Sequence, residues 1–221
     1  VKKSVIDPEE WLTKPIIIEL ESLGEGPANF VTLLLCTLIR ETLKADPLKE
    51  KEKKIRHVIF IEEAHNLIAQ KAQVDAEDSN PKLAATAFIV KMLAEVRALR
   101  EGIIIADQLP TAMAPEVIKN TNIKLVHRLT SGDDRELVGS TMSASPLQME
   151  NMATYLPGQA LFSYEKLLKP FEMRVCTVEE HGEKTPNDKE LFEIMQKKPG
   201  FSNLQKRRVN NAFDALKKET D

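Results

Sequence analysis

The chain has 221 residues, of which 42% are hydrophobic and 29% are charged, and its formal net charge is −3. This length and composition fit one substantial globular domain with an appendage, and they exclude disordered and collagen-like chains. The weak negative charge provides no overall basic field for nucleic acid, so any polyanion has to be bound by a local patch.

Membrane and secretory classes are not favoured by the sequence. No apolar run reaches the roughly 18 residues that span a bilayer, so no membrane span is expected. The first residues, VKKSVIDPEEW, contain no apolar signal-peptide region, which favours a cytoplasmic chain. In a reducing compartment Cys36 and Cys176, which are far apart in apolar segments, are expected to be buried free thiols.

Short apolar runs alternate with helical patterns along the chain. The runs that predict buried strands are KPIIIEL, RHVIFIE, IIIAD and NIKLVHRL, which begin at Lys14, Arg56, Ile103 and Asn122. Helical patterns begin near Pro27, Glu63, Lys82 and Glu116, and two further short helices follow. GQALFSYE and FEMRVCTV predict a late hairpin, and the chain from His181 onward is polar and helical.

This alternation implies crossover connections and therefore an α/β fold with a mainly parallel sheet flanked by helices. We assign residues 1–180 to this domain, with the hairpin at its C-terminal end, and residues 181–221 to a helical tail. Ligands of parallel sheets bind at the carboxyl ends of the strands. Glu62-Glu63, Asp107-Gln108 and Arg128 follow or end predicted strands, so they are expected to share one edge.

The adjacent acids at the end of HVIFIEE suit a site that hydrolyses a nucleotide. One carboxylate, Glu62, would lie near Mg²⁺, directly or through a coordinated water, because hard cations prefer oxygen ligands. The next, Glu63, would orient and polarise the attacking water. The alternative is an acid pair that caps the following helix, and the pair alone does not decide between them. Gln108, at a neighbouring strand end, could contact a γ-phosphate or its water, or could simply form the turn before Pro110.

The segments VIFIEEAHNLI and EVRALREGIIIADQLPTAMAPEVIKNTNIKLVHRLTSGDDRELV resemble the second half of a HerA/FtsK-type ATPase domain, closest to the HerA branch. The resemblance runs from about Lys14 to about Val178. It rests on an EEAH Walker B motif, an arginine-bearing helix, a strand end with Gln before an x-P turn, and an x-R-L-x segment. It implies a RecA-like fold, ATP and Mg²⁺, a homo-oligomeric ring that is a hexamer, DNA translocation, and a nuclease or other effector as partner.

Three features depart from the family pattern. The chain contains no G-x-x-x-x-G-K-[ST] phosphate loop, Glu62 replaces the commoner Asp, and A-D-Q-L-P lacks the arginine of S-Q-R-P. We therefore interpret the chain as the Walker B and sensor half of a HerA-like ring ATPase, inactive alone, whose phosphate loop lies upstream. Such ATPases serve repair, anti-phage defence or conjugation-type transfer. The alternative is a non-hydrolysing assembly or partner-binding module that kept the fold.

A ring ATPase of this kind needs a cation from the neighbouring subunit at the γ-phosphate. Arg97 and Arg100, three residues apart on one helical face before Gly102, are the first candidates. Their other interpretation is a solvated helix end, which cations favour. Arg128, at the end of a predicted strand, is the second candidate. For DNA, a basic run between Lys197 and Lys218 could contact phosphates, although such runs are more often solvated helix faces.

Overall fold

The computed structural model describes residues 12–20, 22–45, 54–68 and 81–197. The chain divides into two compact units, Val1–Arg174 and Val175–Asp221. The boundary that the sequence suggested at residue 180 stays a prediction. The basic run beyond Lys197 lies outside the described residues.

Two long helices, α1 (Glu25–Ala45) and α2 (Pro81–Leu99), pack against each other in the first unit. One face of α2 lies in the core, where Ile89 and Met92 are 2% and 0% exposed. The two helices are also joined by Arg40, whose Nε donates a hydrogen bond to Glu95 Oε2 at 2.8 Å. That bond to Arg40 holds the pKa of the Glu95 carboxyl below its usual value.

Strands β1 (His57–Glu62) and β2 (Glu101–Ala106) form a parallel pair in which His57 lies opposite Glu101 and Glu62 opposite Ala106. The inner face of the pair packs on the buried cluster that includes Ile89 and Met92. The parallel pairing confirms the α/β class predicted from the alternation of runs, and it places the carboxyl ends of both strands at one edge.

The remaining strands of the first unit form an antiparallel sheet in the order β3-β4-β5. Their bounds are Ile123–Val126, Gln159–Tyr164 and Phe171–Arg174, and β4 with β5 is the predicted hairpin. Three short helices precede the hairpin: α3 (Pro115–Asn120), α4 (Gly132–Met142) and α5 (Pro146–Asn151). Ser131 caps α4, and Ser145 with Gln148 forms a capping box on α5, which explains where these helices begin.

The second unit contains a 3-10 turn, Glu179–His181, and helix α6 (Asp188–Gln196), in its described part. Glu190 accepts hydrogen bonds from the Asn187 N–H and from Lys184, and these bonds fix the first turn of α6. The bond from Lys184 holds the Glu190 pKa below its usual value. Among the described helices of the chain, none is long and apolar enough to cross a membrane.

Three expectations are corrected by the structure. The segment Lys14–Leu20 is not a strand: no described strand pairs with it, and Ile17 is 90% exposed. The helix expected from Glu63 is only a 3-10 turn, Ala64–Asn66, and residues 69–80 lie outside the described part. Cys176 is exposed because it lies beyond the end of β5, whereas Cys36 on α1 is buried as expected.

Candidate functional site

Glu62 is the last residue of β1 and is open to solvent. Side chains alternate along the strand, so Glu62 projects from the same face as Val58 and Phe60, which are 47% and 60% exposed. Among the described residues, the Glu62 carboxylate has no hydrogen bond or ion pair. Both of its oxygens are therefore available to a ligand.

The backbone turns sharply at Glu63, which has left-handed dihedral angles, φ 50° and ψ 48°. This conformation costs a residue other than glycine about 1–2 kcal/mol, so neighbouring contacts have to hold it. The Asn66 N–H closes the turn by donating to the Glu63 carbonyl at 3.0 Å. The Glu63 side chain caps none of the backbone N–H groups of this turn, which argues against the helix-capping interpretation.

Gln108 reaches Glu63 from the neighbouring strand end. Its Nε2 donates a hydrogen bond to Glu63 Oε1 at 2.8 Å, although 45 residues separate them. The Glu63 side chain remains 43% exposed, so the contact leaves room for solvent at the carboxylate. The structure thus brings Glu63 and Gln108 together at the edge where Glu62 also ends its strand.

Asp107 and His65 form a second contact between the same two strand ends. The Asp107 side chain is 2% exposed, and its Oδ2 accepts the His65 backbone N–H at 2.6 Å. The His65 ring atom Nδ1 lies 3.0 Å from the same oxygen. The sequence predicts Asp107 at this edge but indicates no function for it. An acid at the end of a buried run, directly before a candidate amide, was the available signal.

The turn after Gln108 is fixed from both sides. The Leu109 N–H donates to Asp107 Oδ1 at 2.7 Å, and the Thr111 N–H donates to Asp134 Oδ1 at 2.9 Å. Asp134 is 6% exposed and lies in the first turn of α4. Gln108 is therefore held between two buried carboxylates that accept backbone N–H groups of its own turn.

The candidate arginines lie elsewhere. Arg100 follows α2 with φ 56°, directly before β2, and its Nη1 is buried with no hydrogen-bond partner in the described structure. The strand of six residues then carries the chain roughly 20 Å at about 3.3 Å per residue, so Arg100 and Gln108 lie at opposite ends of β2. Nothing is described of the Arg97 side chain.

Arg128 follows β3, which pairs with β4 and not with β2. The sequence predicts Arg128 at the edge that carries Glu63, but the observed strand pairing does not bring it there. Its guanidinium is exposed, and its Nε donates to the Ala153 carbonyl at 3.0 Å.

The donor set suits a lightly coordinated hard cation. The described residues contain no cluster of three or more His, Cys, Asp or Glu side chains that could hold a metal ion. Glu62 offers an exposed carboxylate without a partner, and oxygen of this kind fits Mg²⁺, which keeps several waters and binds through one or two carboxylates plus substrate phosphates.

Comparison with known proteins gives matches at the level of structure. No family profile matches the chain, and no curated protein sequence matches it. The structure of VirB4 of Thermoanaerobacter pseudethanolicus matches 73% of this chain with a TM-score of 0.51 and 17% identity. The genome packaging NTPase B204 from Sulfolobus turreted icosahedral virus 2, in complex with AMPPCP, matches 78% of it with a TM-score of 0.52 and 13% identity. The fold is RecA-like.

These matches confirm, for the fold, the resemblance to HerA/FtsK-type ATPases. They cover 41% of the VirB4 chain and 72% of B204 in complex with AMPPCP. A further match, to B204 in complex with ATP-gammaS, has a TM-score of 0.45 and covers 62% of that chain. The chain thus spans less than two thirds of VirB4 and of B204 as seen with ATP-gammaS. B204 has also been solved with AMP.

Proposed function

We propose that this chain forms the water-activating edge of a HerA-like ring ATPase that couples ATP hydrolysis to DNA translocation. The observation that carries the proposal is the 2.8 Å contact between Gln108 Nε2 and Glu63 Oε1, where two parallel strands end together. Glu62, whose exposed carboxylate has no partner among the described residues, precedes Glu63 at the end of β1. Ligands of RecA-like and other open α/β sheets bind at this edge.

In the proposed reaction Glu63 is the general base. Its partly exposed carboxylate accepts a proton from water while the water oxygen bonds to the γ-phosphorus and the bond to the β–γ bridging oxygen breaks, releasing ADP and phosphate. Gln108 donates a hydrogen bond to the Glu63 carboxylate. Its amide would donate to a γ-phosphate oxygen or to the attacking water once ATP is bound, which orients the water relative to Glu63.

Glu62 would hold Mg²⁺ through a coordinated water. Bound Mg²⁺ neutralises charge on the β- and γ-phosphates during phosphoryl transfer. The longer Glu side chain, in place of the commoner Asp, is compatible with an indirect contact. The 221 residues contain no phosphate-loop motif, so we expect residues 1–221 alone to bind ATP weakly and to hydrolyse none.

The finer parts of the proposal concern assembly and partners. A homo-hexameric ring would place an arginine of one subunit at the γ-phosphate of the next. Arg97 and Arg100 are the first candidates and Arg128 the second. DNA is the proposed polymer, supported by the fold likeness to a genome packaging NTPase. A nuclease or another effector would use the movement, and a motor that uses ATP and DNA would work in the cytoplasm.

The test uses the full-length protein that contains this chain, assayed for ATP hydrolysis with and without duplex DNA. We expect DNA to stimulate hydrolysis, and Glu63→Gln to lower the turnover number by about 10²–10⁴-fold while AMPPCP still binds, because the amide keeps the shape but accepts no proton. Glu150→Gln, at an exposed acid on α5, is the matched control and should retain the parent rate. Near-parent turnover in Glu63→Gln would remove Glu63 from this role.

A second candidate is an assembly module without hydrolysis. It is favoured by the apolar outer face of the β1–β2 pair, where Val58, Phe60 and Ile104 are each about half exposed or more. Apolar surface of this kind favours contact with another surface. Full-length protein that assembles and binds a partner, but neither hydrolyses ATP nor responds to DNA, would support this candidate over the motor.

A further inference from the structure

The Asp107 carboxylate is buried between the two strand ends, and each of its oxygens accepts a hydrogen bond from a backbone N–H group. Its side chain is 2% exposed, and a buried carboxylate is stable only when it is well hydrogen-bonded. Oδ2 accepts the His65 N–H at 2.6 Å, and Oδ1 accepts the Leu109 N–H at 2.7 Å. One side chain thus fixes a backbone group on each of two loops.

The first of these bonds supports the strained conformation of Glu63. His65 is two residues beyond Glu63, inside the 3-10 turn that Glu63 starts. A left-handed backbone at a glutamate persists only where its surroundings hold it. Because the His65 N–H is hydrogen-bonded to Asp107, the backbone from Glu63 to His65 has little freedom to relax. Loss of this acceptor would release the turn from the end of β2.

The second bond fixes Gln108. Asp107 accepts the N–H two residues further on, the pattern by which an Asp side chain stabilises its own turn. Gln108 is enclosed between these two residues. The same carboxylate therefore controls the backbone on both sides of the 2.8 Å contact between Gln108 Nε2 and Glu63 Oε1.

We infer that Asp107 is the positioning residue that holds Glu63 and Gln108 in register for hydrolysis, with the His65 ring as its second support. Asp107 touches neither water nor nucleotide in this role and acts through the other two side chains. The inference rests on the proposed ATPase function.

The chain offers a matched control for this inference. Glu101, at the opposite end of β2, is also a buried carboxylate, with a side chain 0% exposed, and it also contacts a histidine of β1, since His57 Nδ1 lies 2.8 Å from Glu101 Oε1. The two histidine–carboxylate pairs join the same two strands. Only the Asp107 pair lies at the edge with Glu63, so a purely structural role predicts similar behaviour for both.

The experiment compares Asp107→Asn and Glu101→Gln in the full-length protein. We expect Asp107→Asn to lower the turnover number for ATP by about 10²-fold, the scale of a misplacement near 1 Å, with AMPPCP affinity within about three-fold of the parent. Glu101→Gln should keep the turnover number within about two-fold. If Asp107→Asn does not fold, His65→Ala serves instead: it keeps the backbone N–H, so its turnover loss should be below about 10²-fold but larger than that of Glu101→Gln.

A double-mutant cycle separates positioning from general destabilisation. If Asp107 acts through Glu63 and Gln108, adding Asp107→Asn to the double variant Glu63→Gln/Gln108→Leu should lower the residual single-turnover rate by less than two-fold. Effects that multiply, or a turnover loss no larger than that of Glu101→Gln, would overturn the inference while leaving the ATPase intact.

A parent protein that hydrolyses no ATP would instead refute the proposed function. In that case the crystal structure of Asp107→Asn shows whether Asp107 positions Glu63 and Gln108. Departure of Glu63 from its left-handed conformation, with loss of the Gln108 contact, supports the inference. Unchanged geometry overturns it.

Discussion

A histidine contacts a carboxylate at each end of the β1–β2 pair, but the surroundings of the two contacts differ. At the amino end, His57 meets Glu101, whose side chain is 0% exposed and whose Oε2 is buried without a partner in the described structure. At the carboxyl end, His65 meets Asp107, and beside them the Glu63 carboxylate is 43% exposed. A histidine–carboxylate pair is therefore no mark of a site by itself. What distinguishes the carboxyl end is acidic oxygen left open to solvent.

The largest expected loss of ATP turnover comes from an arginine that acts across a subunit boundary, from the amino end of one β1–β2 pair to the carboxyl end of the next. Arg100 lies at the amino end of β2, and with Arg97 it is the candidate that would act on a neighbour's carboxyl end. Replacing the responsible arginine with Ala should lower ATP turnover by about 10³-fold or more, the scale of an arginine finger. The measurement is turnover of assembled full-length protein, with thermal unfolding as the check on folding.

Mixing the subunits decides whether that arginine acts in trans. Rings of Glu63→Gln subunits mixed with arginine-variant subunits should regain part of the turnover, because some interfaces then join an intact acid to an intact arginine. Mixed rings that stay as inactive as their parents, despite proven co-assembly, would exclude Arg97 and Arg100 and leave Arg128.

The next effect concerns the amide at the carboxyl end. Gln108→Leu removes the donor that faces Glu63, and loss of one positioned donor lowers turnover by about 10²-fold. Gln159→Leu is the control, since the Gln159 amide oxygen accepts the Leu156 N–H and so holds a turn away from the site. Steady-state ATP turnover should fall in the first variant only. Equal rates in both would assign Gln108 to turn formation, the simpler interpretation of its sequence.

The sequence predicted the carboxyl-end contact but not its support. Continuous apolar runs identify β1 and β2, and parallel pairing then requires their ends to converge, so Glu63 meeting Gln108 follows from local patterns. The bond from the His65 N–H to Asp107, which supports the left-handed backbone of Glu63, joins residues 42 positions apart, and no local pattern encodes it. For the same reason an apolar run such as Lys14–Leu20 predicts burial but does not identify a partner strand, and β3 could not be assigned to its sheet.

A smaller effect is expected at the amino end, and it concerns stability. Glu101→Ala removes the hydrogen-bond partner of His57 Nδ1, on a side chain 18% exposed, and loss of one such hydrogen bond costs about 0.5–1.5 kcal/mol. Urea unfolding of the full-length protein should show this loss, with ATP turnover per folded molecule unchanged. Glu150→Ala, at an exposed position, should stay within about 0.5 kcal/mol of the parent. A turnover loss in Glu101→Ala would break the division between the two ends.

The smallest effect tests how strongly the Glu101 charge is felt in the core. Burial, and to a lesser degree the charge of Glu101, raises the pKa of the Cys36 thiol from 9.0 to about 11. Because burial is the larger cause, the charge accounts for less than half of that rise, which is less than about ten-fold in the thiolate fraction. Glu101→Gln should therefore lower the midpoint of the Cys36 ¹³Cβ titration by less than about one pH unit, and Glu150→Gln should leave it unchanged. A larger fall would make the charge the main cause, and the amino end would then be an electrostatic element of the core in addition to a packing one.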